Sequence, residues 1–346
     1  ATPDCGRECY PELLRSTMYP PGPAFDRDQI GTSFAAPKVT HIAAHLQSLL
    51  PDEPSLLYRA LIVQSARWPD WAMLLMRELQ VVKQLQKKLK NRKKQDYVLT
   101  KKIADANNKR SELEEQLTKL LRMIGYGVPD RKRATVNTDY RTTFITSGES
   151  EIRSGEGHIY QVKIPDAMRR PADDYEILIE VTLSYVASPR RTRRNVRRYL
   201  STWAEWKSNG LEESLEHFRS RALKGSDTEE TGDSNFGWTL GSKSSDGVIK
   251  NAKRNSGTLQ KDWAIKKSSS LPESFCVSVI GREGWSRDPD STARYSLAVS
   301  FEILGQEIPI YDKLRVAEHE LQMELQAEAE AEMQLDGEFE FEDSDR

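Results

Sequence analysis

The sequence predicts a chain built from unlike parts: a helical first third, a long helical hairpin, an antiparallel β-rich module and an acidic helical tail. Three observations predict this. Apolar residues recur at three- and four-residue steps from Ser33 to Ala66. Between Asp70 and Ile124 there is neither Gly nor Pro, and the apolar spacing there is that of a heptad. From Arg141 onward the hydrophobic period becomes two.

Residues 1–30 are rich in Pro and Gly and read as irregular. Ala35, Ala36, Val39, Ile42, Ala43 and Leu46 then define one face of a helix, with Pro37 in its opening turns. Pro51 and Pro54 break it, and "SLLYRALIVQSA" forms a second helix with Ser55 as its expected N-cap. Leu75, Leu79, Val82, Gln86 and Leu89 make an outgoing heptad seam. Leu99, Ile103, Ala106, Arg110, Leu113, Leu117 and Leu120 make the returning one. The polar "KNRKKQD" between them suits a turn, so the segment is expected to fold back as an antiparallel helical hairpin.

The stretches "RTTFIT", "HIYQVKIP", "YEILIEVTLSYVA", "KDWAIKKS", "SFCVSVIG" and "ARYSLAVSFEIL" alternate as strands of a β-sandwich or jelly-roll-like module. A long interruption at 190–260 carries a short helix and a Gly/Ser/Asp-rich loop. From Ala317 the composition suggests an acidic helix that decays into "DGEFEFEDSDR". The expected parts are 1–72, a helical hairpin at 73–122, a closing segment at 123–140, the β module at 141–312, and an acidic helix and tail at 313–346.

Charge excludes some functions. The net charge of −2 gives no global attraction to nucleic acid or anionic membrane, and no apolar run reaches the ~20 residues that span a bilayer. The three cysteines, Cys5, Cys9 and Cys276, make no disulfide framework. Cys5 and Cys9 lack a second Cys/His pair for a zinc site, so no metal or other cofactor is expected. The polar start, without an initiating Met, reads as that of a fragment.

Gly31-Thr32-Ser33 precedes the first helix. A Ser or Thr at such a place is ordinarily an N-cap. It also suits a nucleophile, because a serine in a first helical turn has a backbone N–H with no intrahelical acceptor and lies at the positive end of the helix dipole. Gly31 permits a sharp turn there, and Ala35 and Ala36 leave room for close approach.

The longer string "GTSFAAPKV" resembles the catalytic-serine signature of the subtilisin-like serine peptidases. "LLPDEPSLLYRALIVQSA" resembles the family's next helix, and "GYGVPDRKRA" (125–134) its closing segment. The resemblance implies an α/β subtilisin-like catalytic-domain fragment in which Ser33 is the nucleophile of a serine endopeptidase. In that family the triad runs Asp, His, Ser. No histidine precedes Ser33, and His41 lies about 12 Å along the same helix at 1.5 Å per residue. Asp26 and Asp28 have no histidine to orient. The triad Asp and His are therefore expected outside this chain, and the fragment alone is expected to be inactive.

Lys38 stands where the family has a histidine, Thr40-His41 where it has Ala-Gly, and the hairpin interrupts the family pattern. These departures resemble large bacterial intracellular subtilases with a β-rich C-terminal domain. That likeness implies a peptide or protein substrate, a cytoplasmic location, and a partner ATPase or helix docking on the hairpin. A competing reading is an inactive subtilase-derived scaffold.

Arg190, Arg191, Arg193, Arg194, Arg197 and Arg198 lie beside Tyr199, Trp203 and Trp206, a composition that would suit phosphate and base stacking. Without a nucleic-acid motif it reads instead as a loop between strands.

Overall fold

The computed structural model describes residues 32–90, 97–171, 173–190, 199–223, 236–242, 247–249, 252–286, 288, 290–305, 308–310 and 322–326. The chain divides into two compact units, 1–51 and 52–346.

In the first unit, α1 spans Thr32–Leu49. Ile42 and Leu46, one turn apart, are buried, whereas Phe34, Ala35, Ala36 and Val39 are exposed. Pro37 lies inside the helix and has no N–H, so the carbonyl of Ser33 receives no i+4 hydrogen bond.

The second unit opens with α2 (Ser55–Ser65). Ser55 is the first helical residue and not the cap: extended Pro54 takes that place, without a side-chain hydrogen bond. Proline's fixed φ suits the entry to a helix, which explains why the sequence signal misled. Helices α3 (Asp70–Lys90) and α4 (Tyr97–Ile124) pack antiparallel. Met76 and Leu79 meet Leu113, Leu117 and Leu120 near the base, and Leu89 meets Ala106 farther out. Gln86 takes the polar place in the seam, its amide donating to the Ala106 carbonyl at 3.1 Å and to Asn107 Oδ1 at 2.9 Å. The charged interruption, Arg110, binds Glu114 at 2.8 Å. The "KNRKKQD" turn lies almost wholly outside the described residues.

At its base this helical pair joins Trp68, Leu178, Leu240, Ile249, Ala252 and Trp263 in one cluster. Lys83 Nζ adds a 2.7 Å bond to the carbonyl of Val248.

After the short α5 (Arg131–Thr135) the strands begin: β1 (Arg141–Ile145), β2 (Ser150–Arg153), β3 (Gly157–Lys163), β4 (Glu176–Val186), β5 (Thr202–Ser208), β6 (Leu259–Lys267), β7 (Ser274–Glu283), β8 (Thr292–Leu304) and β9 (Gln322–Gln326). Two short helices intervene, α6 (Asp166–Arg169) and α7 (Leu215–Leu223). One sheet has the order β1-β8-β4-β6, with β2 also on β8; the other has the order β5-β7-β3-β9. Every pairing is antiparallel. Both sheets feed one core, Ile177, Ile179, Val181, Val299 and Phe301 from the first and Val162, Trp206, Phe275, Val277 and Val279 from the second.

Two expectations need correction. The acidic segment was expected to be helical from Ala317, but its described part, Gln322–Gln326, is a strand on the edge of β3, with Met323 opposite Tyr160 and Leu325 opposite His158. The alternating Gln-Met-Glu-Leu-Gln also has period two, and an open sheet edge selects that reading over helix propensity. The interruption at 190–260 also hides β5. Trp206 there is wholly buried, with the Arg254 guanidinium 3.7 Å from its ring centre. Trp206 is thus unavailable to stack on a base. Arg191, Arg193, Arg194, Arg197 and Arg198 lie outside the described residues.

Candidate active site

Ser33 is the second residue of α1 and is exposed. Its N–H lies in the first turn, where the helix itself provides no acceptor. Gly31, Asp26, Asp28, Cys5 and Cys9 lie outside the described residues. On α1, His41 and His45 meet edge to face with ring centres 4.5 Å apart, a contact within the helix. His41 stands eight residues beyond Ser33, about 12 Å along the axis, and is no base for it.

The remaining described histidines belong to the second unit and have local partners. His158 is buried and its Nδ1 lies 2.6 Å from the Tyr295 hydroxyl, which in turn meets that of Tyr160 at 2.5 Å. Burial pushes the His158 pKa below its usual value. His217 Nδ1 is 3.0 Å from Glu213 Oε1, an i,i+4 contact on α7 and its approach. His319 lies outside the described residues. Cys276 is buried in β7 and its thiol pKa is pushed up to about 12, chiefly by burial, so it is a poor nucleophile. Among the described residues no group of three His, Cys, Asp or Glu is disposed to hold a metal ion.

The other two peptidase-like motifs meet in space. Arg67, just past α2, and Val128 form a two-bond antiparallel bridge: Arg67 N–H donates to the Val128 carbonyl at 3.0 Å, and Val128 N–H to the Arg67 carbonyl at 2.9 Å. Gly127 makes this approach possible. Its φ is +99°, and a Cβ there would lie 2.0 Å from the Arg67 carbonyl oxygen. The indole Nε1 of Trp68 donates to the carbonyl of Gly125 at 2.8 Å, so the helical pair leaves and returns at one point. Asp130 caps α5 by accepting from Arg133 N–H at 2.8 Å, and its own N–H donates to Ser65 Oγ at 3.2 Å.

The end of α2 rests on a buried polar patch that strand alternation alone would place in water. Even-numbered residues of β4 and β8, Glu180, Thr182, Ser300 and Glu302, face the helix, while the odd-numbered ones fill the core. Gln64 is fully buried among them, its amide donating to the Glu180 carbonyl at 3.0 Å and to Ser300 Oγ at 2.8 Å, while its oxygen accepts from Thr182. Lys261 Nζ donates to the carbonyls of Val63, Gln64 and Ala66 at 3.1, 3.1 and 2.7 Å and lies 2.9 Å from Glu180 Oε1. It is a cationic cap on the negative end of the helix. Arg67 bridges Glu180 and Glu302, and Arg133 grips Glu302 with both terminal nitrogens. Every acceptor in this patch already has a donor, so the arrangement is a structural clamp. Sequence reading missed it; the polar Gln64-Ser65 ending of an otherwise apolar helix was the available signal.

The Subtilase family model matches residues 11–127, about a third of the chain. This span holds Ser33, α2, the helical pair and the first residues of the closing motif, and it supports a subtilisin-like serine peptidase at the family level. No curated protein and no solved structure matches the chain. No helix among the described residues is long and apolar enough to cross a membrane.

Proposed function

We propose that the chain is the C-terminal part of a subtilisin-like serine endopeptidase, with Ser33 as nucleophile and the triad Asp and His supplied from outside this chain. The observation that carries this reading is Ser33 in the exposed first turn of α1, inside the segment that the Subtilase model matches. In such an enzyme Ser33 Oγ loses its proton to the histidine and attacks a peptide carbonyl. The Ser33 N–H is one donor to the resulting oxyanion. Collapse expels the amine, and water then hydrolyses the acyl-enzyme. The helical pair is read as an insertion and the two-sheet module as an appended domain of a bacterial cytoplasmic protease, with a partner such as an ATPase docking on the helices.

The test is labelling of the full-length protein by a fluorophosphonate. The expected adduct is on Ser33 and is lost in Ser33→Ala, with the melting temperature unchanged because the hydroxyl is exposed. Absence of labelling in the full-length protein overturns the peptidase reading. It would leave the second reading, a catalytically inactive scaffold that acts through the helical pair and the two-sheet module.

A further inference from the structure

Helix α3 has two apolar faces, and α4 covers one of them. The other carries Trp71, Leu74, Val81 and Leu85, which are 55%, 61%, 63% and 48% exposed. With Glu78 they occupy steps of three, four, three and four residues along the helix. At 100° per residue the five lie within an arc of about 80°, roughly a third of a turn away from the seam with α4. Half-buried Leu75 and Val82 join the two faces into one apolar surface. Single exposed apolar residues are ordinary, whereas four large ones at heptad spacing on one helix mark a contact surface.

We propose that this face is a two-fold interface between two copies of the chain, with α3 running antiparallel to its counterpart and Glu78 near the symmetry axis. The spacing is self-complementary to within one residue: reversing the helix about a point between 77 and 78 sets Leu74 against the partner's Val81 and Trp71 one residue from the partner's Leu85. An isologous contact requires this of its surface. Charge selects the direction. Asp70 lies at one end of the face, and exposed Lys88 lies at the other. Antiparallel packing brings each Asp70 to the partner's Lys88, while parallel packing would stack lysine on lysine. At the centre Arg77 comes beside the partner's Glu78, and each Glu78 keeps its own Lys109 at 3.2 Å.

The contact runs about 21 Å along one helix, from Trp71 to Leu85. That places it at the small end of specific interfaces, with a dissociation constant on the order of 10 µM. Sedimentation equilibrium of the full chain between 1 and about 200 µM is the test, with the concentrations set by that constant. The wild type is expected to pass from monomer to dimer. Leu74→Lys/Val81→Lys, which places four charges in the contact, is expected to raise the constant by about 100-fold or more while leaving far-UV circular dichroism and the melting temperature unchanged. A wild type that stays monomeric throughout, or a double variant that dimerises as the wild type does, overturns the proposal.

Cysteine cross-linking fixes the register independently of that variant's folding. In a Cys5→Ser/Cys9→Ser background, Glu78→Cys should oxidise to a covalent dimer. Trp71→Cys should link to Leu85→Cys but not to itself. Self-linking of Trp71→Cys in preference to Glu78→Cys would indicate a parallel pair and refute the arrangement.

Discussion

Replacing Lys261 by Met tests whether the polar clamp holds α2 to its sheet. The ammonium is buried to about 1% exposure, and it serves three carbonyls at the end of α2 as well as the equally buried Glu180. Burial lowers its pKa, and Glu180 acts in the opposite direction. Methionine keeps most of the side-chain volume, so loss of packing is a minor cost. What remains is a buried carboxylate with one cation fewer and the carbonyls of Val63, Gln64 and Ala66 without the ammonium, of which Val63 keeps the Ala66 N–H. Breaking one partner of such a pair costs about 3–5 kcal/mol. With a urea m-value of about 2–3 kcal/mol/M, the unfolding midpoint should fall by about 1–2 M. Trp68 and Trp263 line the same site and report the transition by fluorescence. A double-mutant cycle with Glu180→Gln should show a coupling above about 1 kcal/mol, since the pair is in direct contact. A midpoint shift below about 0.3 M, or additivity within about 0.5 kcal/mol, would refute the clamp.

Three further substitutions probe the same unit. Gly127→Ala forces a Cβ into the Arg67 carbonyl at a positive φ and should lower stability by about 2–4 kcal/mol. Gly148→Ala, at φ +67° with nothing within 4 Å, should cost only about 1 kcal/mol. Equal melting temperatures for the two would show that the approach of Gly127 to Arg67 is not tight. Asp262 is fully buried, and burial outweighs Arg254 and three backbone N–H donors to push its pKa from 3.8 up to about 6. The native state then holds this proton where the unfolded chain has released it. Its contribution is full below about pH 4 and is lost as pH rises through about 6, a change of about 3 kcal/mol. The stability difference between wild type and Asp262→Asn, measured by urea unfolding at pH 4 and pH 7, should shift by that amount against the wild type. A difference that stays constant between the two pH values would show that Asp262 does not titrate in this range.

The strands that could be read from sequence were those whose alternation is strong over their length: β1, β3, β4, β6, β7 and β8. β2 has a single apolar residue, Ile152, and exists because β8 is long enough to pair with it beyond β1. β5 was hidden because its tryptophans sit next to arginines in sequence and were read as a surface, although Trp206 belongs to the core. The heptad seams were legible because each follows from one helix, but the outer stripe of α3 emerges only once α4 is known to cover the inner one. Ser33 was singled out by its motif, and it stands in the exposed first turn of α1. The clamp was not, since only the docking of α2 turns a polar strand face inward.

That polar face also bears on why α2 sits where it does. A greasy strand face would accept an apolar helix in several registers, each with similar burial. Here Gln64 must reach the Glu180 carbonyl and the Thr182 and Ser300 hydroxyls at once, while the last carbonyls of α2 must meet Lys261. A shift of one residue along the helix would turn Gln64 through about 100° away from the Thr182 and Ser300 hydroxyls and take the last carbonyls of α2 away from Lys261, leaving these α2 groups buried without their partners. Such a patch adds little net stability over a well-packed apolar one, because desolvation offsets most of the charge attraction. Its effect is to penalise every alternative register. The penalty fixes the Arg67–Val128 bridge, and through it the point from which the helical pair projects.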